Sequence, residues 1–281
     1  MKDKKKRSRL PGLLIAAAFI IGICLLLYPT VGELWNSYHS SKAIVSYSEQ
    51  VNEMESAENA KEFAAAEAFN KMLAQGLPDG LLSESEQEDY NGLLNPGGSG
   101  IMGVISIPKV GLELPIYHGT EEAVLQVGAG HIEWSSLPIG GESTHSVISG
   151  HSGLPSARLF TDIGKLEEGD KFYIRVLDRT LTYEVDQIRI VLPEDTSDLA
   201  IQEGKDYCTL VTCTPYGINS HRLLVRGRRI ENAEDISNVK IISDAVRIDP
   251  YIVSAIMTAT FLFCFLFVAT VIKAIRKRGA K

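Results

Sequence analysis

Two uncharged apolar runs restrict the architecture of this chain more than any other feature. No charged residue occurs from Leu10 to Gly32, and none occurs from Tyr251 to Ile272. A helix needs about 20 predominantly apolar residues to cross the hydrocarbon core of a membrane, and each run is long enough. The sequence therefore predicts two transmembrane helices, at residues 10–32 and 251–272, on either side of a large central region.

The flanks of these runs predict how the chain is oriented. Residues 2–9 contain six Lys or Arg against one Asp, and residues 273–281 contain five Lys or Arg and no acid. Because positively charged flanks stay on the cytoplasmic side, we expect cytoplasmic tails at 1–9 and 273–281 and an extracellular central region in a two-pass protein of the cell membrane. The first run also resembles a cleavable signal peptide, but no small-x-small cleavage site follows it, which favours an uncleaved anchor.

The central region divides into a helical part and a β-rich part. Within residues 33–100, the stretch 41–75 is rich in Glu, Ala and Lys and predicts helix, whereas Gly and Pro in 76–100 predict a linker or a flap. From 101 to 230, many short segments alternate apolar and polar residues, and such closely spaced strands favour a closed or nearly closed β-barrel. Residues 231–250 form an acidic linker back to the membrane.

Charge and cysteine content exclude two classes of protein. The formal net charge is −7, but the two tails carry +5 each, which leaves −17 for the rest of the chain. A basic surface for nucleic acid is therefore not expected. Four cysteines in 281 residues also exclude a small domain stabilised mainly by disulfides.

Cys213 is the strongest candidate for a nucleophile. It ends a predicted strand and precedes a turn with the sequence TPYGIN, so its thiol faces a loop and is accessible. Cys208 lies an odd number of residues away, so on a strand of period two the side chains should point to opposite faces, and a disulfide between them is not expected. A buried structural role is the commoner fate of a lone cysteine, and Cys208 fits that role.

His151 and Arg222 are the candidate partners of this thiol. A nucleophilic cysteine usually acts with a histidine, and His151 lies at another predicted strand end between Gly150 and Gly153, which allow close approach of a substrate backbone. Arg222 follows Cys213 by nine residues, so a hairpin would bring the two side by side. A permanently charged guanidinium suits a developing oxyanion.

Other kinds of site have weaker support. The GHSG sequence at 150–153 is similar to the turn of a serine hydrolase, but the Gly-x-Ser-x-Gly spacing fails at Leu154. His145 is interpreted as a surface or internally satisfied histidine. The chain has neither a His-x-x-x-His pair nor a Cys-x-x-Cys pair, so we predict no metal and no cofactor.

Taken in order, these motifs resemble the sortase family, and in particular its class C, pilin-polymerising branch. The likeness covers about residues 90–230. The segments that carry it are MGVISIPKVG at 102–111, LPIYHGT at 114–120, SGHSG at 149–153 and TLVTCTPYGINSHRLLVRG at 209–227. The resemblance implies a mainly β fold, a closed eight-stranded sortase barrel with short helices, preceded by a helical segment and flanked by the two transmembrane helices.

The resemblance also implies an activity, that of a cysteine transpeptidase on the outer face of a Gram-positive cell. Cys213 would attack the Thr–Gly carbonyl of a Leu-Pro-x-Thr-Gly (LPXTG) sorting signal and form a thioester. His151 would protonate the leaving amine and then deprotonate the incoming nucleophile, while Arg222 would hold the substrate and stabilise the oxyanion. The implied partners are pilins or surface proteins with such signals, and the nucleophile of class C enzymes is typically a pilin lysine.

One family feature is missing from the expected place. Class C sortases commonly carry an N-terminal lid with an Asp-Pro-aromatic anchor, and residues 76–100 contain no such string. The string Asp249-Pro250-Tyr251 lies at the membrane border instead. Either the lid is absent, or residues 76–95 cover the site through another anchor.

Three other functions remain open at this point. A cell-wall-anchoring sortase would use a peptidoglycan amine as the acceptor, and a plain cysteine peptidase would hydrolyse without transfer. A membrane-tethered β-barrel that only binds would tolerate the loss of Cys213, and its thiol would be no more reactive than that of Cys208.

Overall fold

The computed structural model describes residues 10–76, 82–232, 258–267 and 269–270. The described residues fall into two compact units, one within Met1–Trp35 and Arg247–Lys281 and one within Asn36–Val246. Helix α1 spans Leu10–Glu53, and within the described residues its part Ala17–Glu53 is the one helix long and apolar enough to cross a membrane. This finding agrees with a membrane anchor near the N-terminus.

The predicted second span lies mostly outside the described residues. What is described there is a short apolar helix, α5, at Thr258–Phe267. Within the first unit the ring of Phe267 stacks on that of Phe19, with ring centroids 4.4 Å apart. The two apolar helices are therefore in contact through aromatic side chains.

Eight strands of the second unit close into a barrel: β1 Ile101–Ile107, β2 Leu112–His118, β3 Ala129–His131, β4 Thr144–Ser149, β5 Lys171–Val176, β6 Arg179–Val191, β7 Asp206–Thr214 and β8 His221–Ile230. Their spatial order is β1-β2-β3-β4-β7-β8-β6-β5, with β5 returning to β1. Most neighbours are antiparallel, but β2–β3 and β4–β7 are parallel pairs. This confirms the predicted closed eight-stranded barrel.

Alternating side chains separate the barrel interior from its outer surface. On β7, Cys208 and Leu210 belong to the large buried core, whereas Val211 belongs to a second, smaller apolar cluster. Successive side chains on a strand point to opposite faces, so the second cluster lies on the outer face of the sheet. Its buried members are Val147, Val191, Leu199, Val211 and Leu224, with Ile132 and Trp134 packed against them.

Helices α1 and α2 (Ser56–Ala74) are fastened to the barrel by buried polar contacts as well as by apolar packing. The hydroxyl of Tyr47 donates to the carbonyl of Met102 (3.1 Å) and accepts from the amide of Leu177 (2.8 Å). The side chain of Asn70 on α2 bonds both backbone groups of Leu137, at 3.1 and 2.7 Å. The predicted helical stretch thus consists of two helices.

A further helix, α3 (Glu84–Gly92), lies in the segment for which the sequence predicted a linker or a flap. Ser83 and Glu86 form a reciprocal capping box at its start, which satisfies backbone donors that a helix end leaves unpaired. Tyr90 is fully buried against the barrel. Within residues 76–100, the segment from Leu82 onward therefore packs against the barrel through Tyr90.

Candidate active site

Three neighbouring strand ends bring the three sequence-predicted site residues to one level of the barrel. In the antiparallel pair β7–β8, Cys213 lies directly opposite Arg222. In the parallel pair β4–β7, Ser149 lies beside Val211, and beyond the strand end the amide of Gly150 still donates to Val211 and the hydroxyl of Thr212 to Gly150. His151 begins the loop two residues after Ser149, at the end of β4 that lies beside the Cys213 end of β7.

Cys213 occupies the accessible position that its place in the sequence predicted. It is a free, partly buried thiol near the end of β7, whereas Cys208 is a free thiol fully buried in the core. Burial raises the pKa of the Cys208 thiol well above its usual value, so this residue stays protonated and unreactive. Cys213 shares the outer face with Val211, two residues before it.

His151 begins a loop that several close contacts shape. Its carbonyl accepts a hydrogen bond from the amide of Phe160, at 3.0 Å. A Cβ atom at Gly150 would come within 2.7 Å of the Phe160 ring, so only glycine fits there. The imidazole Nε2 lies 3.3 Å from a carboxylate oxygen of Glu122, on the short helix α4 (Glu122–Leu125) between β2 and β3. The Glu122 side chain on α4 thus holds the imidazole ring of His151.

The Arg222 guanidinium is folded toward the turn that links β7 and β8. Its Nη1 donates to the carbonyls of Asn219 and His221, both at 3.2 Å. These contacts involve one nitrogen, so Nε and Nη2 of the guanidinium can still donate to an anionic or carbonyl oxygen.

The outer face of the same strands carries a buried apolar cluster on the same face as the thiol. Val147 on β4, Val211 on β7 and Leu224 on β8 belong to the second apolar cluster, and Val191 on β6 is paired with Arg222. The arrangement therefore combines a thiol, an imidazole and a guanidinium at strand ends that a packed apolar cluster supports. Such a set can form and resolve an acyl intermediate on an extended peptide.

The histidines at 118, 131 and 145 serve the fold instead of this site. His145 is buried and bonded to Thr209 and to the carbonyl of Ala200, so it is internally satisfied. His118 is bonded to the carbonyls of Gly100 and Leu93. Burial lowers the pKa of all three imidazoles.

Sequence reasoning missed Glu122. It precedes His151 by 29 residues, and a Glu-Glu pair at the start of a short helix is a common N-terminal signal. No spacing rule connects such a pair to a strand end elsewhere in the chain, so only the folded barrel reveals the contact.

Comparison with known proteins places this geometry in a family. Residues 105–230 match the sortase domain. Sortase D of Bacillus subtilis is 31% identical over 154 residues, which cover 54% of this chain and 75% of that protein. The chain therefore belongs to the sortase family, whose members are cysteine transpeptidases that act on LPXTG-type sorting signals.

Solved structures with the same barrel include sortases of class C. The crystal structure of sortase C1 from Streptococcus agalactiae superposes with a TM-score of 0.67 at 52% identity, covering 68% of this chain and all of that one. Sortase C of Streptococcus pneumoniae, a structure reported to give insights into catalysis and pilin substrate specificity, superposes with a TM-score of 0.60 at 45% identity, covering 68% of this chain and 97% of that one. The resemblance to the class C branch is thereby confirmed.

Proposed function

We propose that this chain is a membrane-anchored class C sortase that joins a sorting signal to a pilin lysine, with Cys213 as nucleophile, His151 as acid and base, and Arg222 as oxyanion ligand. The observation that supports this proposal is the direct pairing of Cys213 with Arg222 across β7 and β8, with His151 two residues beyond the end of β4, the strand paired with β7. Similarity to a sortase C concerned with pilin substrates supports the choice of acceptor.

The first half of the reaction forms a thioester. The thiolate of Cys213 attacks the carbonyl carbon of the threonine in the sorting signal, and the carbonyl oxygen becomes an oxyanion beside the Arg222 guanidinium. The tetrahedral intermediate collapses, the C–N bond breaks, and protonated His151 donates its proton to the leaving glycine amine. The acyl group is then bound to sulfur, and the remnant beginning with glycine departs.

The second half transfers the acyl group. Neutral His151 accepts a proton from the attacking lysine ε-amine, nitrogen attacks the thioester, and Cys213 leaves as thiolate. The product is an isopeptide bond, and the free enzyme is restored. Because one amide replaces another through a thioester, the exchange needs no ATP, which suits an extracellular site.

The same proposal includes the arrangement of the chain in the membrane. Residues 10–32 and 251–272 span it, the tails 1–9 and 273–281 are cytoplasmic, and residues 33–100, the barrel 101–230 and the linker 231–250 are extracellular. The stacking of Phe19 on Phe267 supports a pair of adjacent helices. Protease added outside intact protoplasts should digest the barrel and spare a tag at either terminus; digestion of one tag would contradict the two-pass arrangement.

The decisive experiment follows the acyl-enzyme by mass spectrometry. The full chain in detergent micelles is incubated with LPXTG peptides of several x residues, beside the Cys213→Ala and Cys208→Ala variants. We expect an adduct mapped to Cys213 in the unsubstituted chain and in Cys208→Ala, and none in Cys213→Ala. An adduct that persists in Cys213→Ala, or its absence from the unsubstituted chain with every peptide, would refute the catalytic assignment.

A second measurement identifies the acceptor. Once the adduct has formed, a lysine-containing pilin peptide and a peptidoglycan stem peptide are added in separate reactions. A ligated product with the pilin peptide alone is expected. Ligation to the stem peptide alone would make this chain a cell-wall-anchoring sortase, and release of free acid with both amines present would make it a peptidase.

A further inference from the structure

We propose that Glu122 is a positioning residue for His151: its carboxylate fixes Nε2–H of the imidazole and leaves Nδ1 as the nitrogen that exchanges protons with the substrate amines. This inference rests on the proposed function, since it assigns the surroundings of the proposed acid and base. It concerns a residue on α4, away from β7, β8 and the loop after β4, which carry the three proposed catalytic side chains.

Both oxygens of the Glu122 carboxylate are engaged, and this sets its orientation. Oε2 lies 3.3 Å from Nε2 of His151, and Oε1 accepts a hydrogen bond from Nε2 of Gln126 at 2.8 Å. Glu122 and Gln126 are four residues apart around one helical turn, where side chains face each other. The amide of Gln126 thus restrains a carboxylate that would otherwise rotate freely in solvent.

The helix that carries Glu122 is itself closely packed against the barrel. A Cβ atom at Gly130 on β3 would come within 2.3 Å of the Gly119 carbonyl oxygen and 3.1 Å of Leu125, so this glycine permits the close approach of α4 and the preceding turn. The amide of Gly119 donates to the hydroxyl of the buried Tyr90. Strand β3 is paired with β4. Glu122 lies just before β3 and His151 just after β4, so neighbouring strands position the carboxylate and the imidazole.

The charges around the pair favour a hydrogen bond with ionic character. The hydrogen bond from Gln126, and then the charge of His151, lower the pKa of the Glu122 carboxyl, so it is ionised at neutral pH. The elements next to His151 carry several ionisable groups, which include Glu121 just before α4, Glu122 on α4, Arg158 and Asp162 beside Phe160, Cys213 on β7, Arg222 on β8, and Tyr216, whose ring lies near Gly153. Among these, Glu122 is the one with a hydrogen bond to the ring.

A carboxylate on Nε2 selects the tautomer of the neutral ring. An ionised carboxylate only accepts, so Nε2 must be the protonated nitrogen and Nδ1 has the lone pair. Nδ1 makes no hydrogen bond to any residue in the described part of the chain. It can therefore accept the proton of the attacking amine and, once protonated, donate to the leaving amine, while Glu122 stabilises the imidazolium from the other side.

The matched pair Glu122→Gln and Glu121→Gln tests this role. Each variant removes one negative charge from one of two adjacent exposed residues at the start of α4, but of these two only Glu122 contacts His151. We measure kcat, KM and the pH–rate profile for ligation of an LPXTG peptide to a lysine peptide by the full chain in detergent. We also measure Gln126→Ala, which frees the carboxylate without removing it.

The expected pattern separates positioning from structure. Glu122→Gln should lower kcat about threefold to tenfold with KM within about twofold, because an exposed charge-assisted hydrogen bond contributes modestly. The alkaline limb of its pH profile should move to lower pH, since the imidazolium loses its counter-charge. Glu121→Gln should match the unsubstituted chain, and Gln126→Ala should show a smaller effect in the same direction as Glu122→Gln.

Two results would overturn the inference, and they differ from a failure of the proposed function. If Glu122→Gln retains the kcat and the alkaline limb of the unsubstituted chain, or changes no more than Glu121→Gln, Glu122 does not position the ring. If His151→Ala retains full activity, the proposed role of His151 fails first. In a chain that already carries His151→Ala, Glu122→Gln should have no further effect on residual activity.

Discussion

Acid should destabilise this protein through His131, a buried histidine outside the set of proposed catalytic residues. His131 is completely buried on β3, where Nδ1 accepts from the Tyr90 hydroxyl at 3.0 Å and Nε2 donates to the Ser136 carbonyl at 2.8 Å. Burial, the largest effect, lowers its pKa from 6.5 to about 3. The folded state thus keeps a neutral ring while the unfolded chain binds a proton below pH 6.5, so stability is complete above that pH and decreases as the pH falls toward 3.

The size of the effect follows from these two pKa values. One unit of pKa difference corresponds to about 1.4 kcal/mol, so lowering the pH from 7 to 5 should reduce the free energy of unfolding by about 2 kcal/mol through His131. His118 and His145, whose pKa values burial also lowers, add to this loss. Glu113 opposes it, because burial raises its pKa to about 7 and its folded form gains a proton in this range.

A difference between variants isolates the contribution of His131. Urea unfolding of the full chain in detergent, followed by tryptophan fluorescence, gives the free energy of unfolding at pH 7 and pH 5 for the unsubstituted chain, His131→Gln and His221→Gln. The decrease between the two pH values should be about 2 kcal/mol smaller in His131→Gln than in the unsubstituted chain. His131→Asn provides a second buried amide should the longer side chain prevent folding. An equal pH dependence in all variants would show that His131 titrates alike in both states and would refute this reasoning.

Three substitutions test the packing. Gly227→Ala should destabilise the chain by about 1–3 kcal/mol in urea unfolding, because its Cβ would lie 2.5 Å from the Phe172 ring; an unchanged midpoint would mean that the ring moves aside at no cost. Gly92→Ala is the control at the end of α3, because a Cβ added there would meet no other atom within 4 Å; it should be neutral or stabilising by up to about 1 kcal/mol. Asn70→Ala should cost about 1–3 kcal/mol, because it leaves the amide of the buried Leu137 unpaired and removes one of two donors to its carbonyl, which also accepts from the amide of Ile139; a loss below about 0.5 kcal/mol would show that another group replaces the side chain.

The features that the sequence predicted well depend on short-range spacing. The alternation of side chains along β7 correctly predicted that Cys213 and Cys208 lie on opposite faces, and the spacing of nine residues across a tight turn correctly predicted that Cys213 pairs with Arg222. The position of His151 required the parallel register of β4 with β7, which no local pattern encodes, but the flanking glycines marked the strand end. Local spacing thus located the candidate residues, and the barrel brought them to one level.

The features that the sequence did not predict depend on contacts between distant segments. Tyr90 and His131 are 41 residues apart, and nothing in either segment indicates their hydrogen bond. The helix α3 was missed for another reason: Gly and Pro nearby indicated a loop, although Ser83 and Glu86 have the spacing of a capping box. The capping-box spacing alone would have predicted the helix, but its packing against the barrel could be seen only in the folded structure.

The closure of the barrel determines how an extended peptide can be recognised. Many domains bind such peptides by adding them as an extra strand to an open sheet edge, where main-chain hydrogen bonds supply affinity with little regard to sequence. In this barrel β5 returns to β1, so the ring of strands has no open edge for that mode. A bound signal must then be read by side chains and loops on the outer face. Discrimination between signals therefore depends on surface residues that can change singly over evolutionary time while the hydrogen-bonded frame beneath them stays the same.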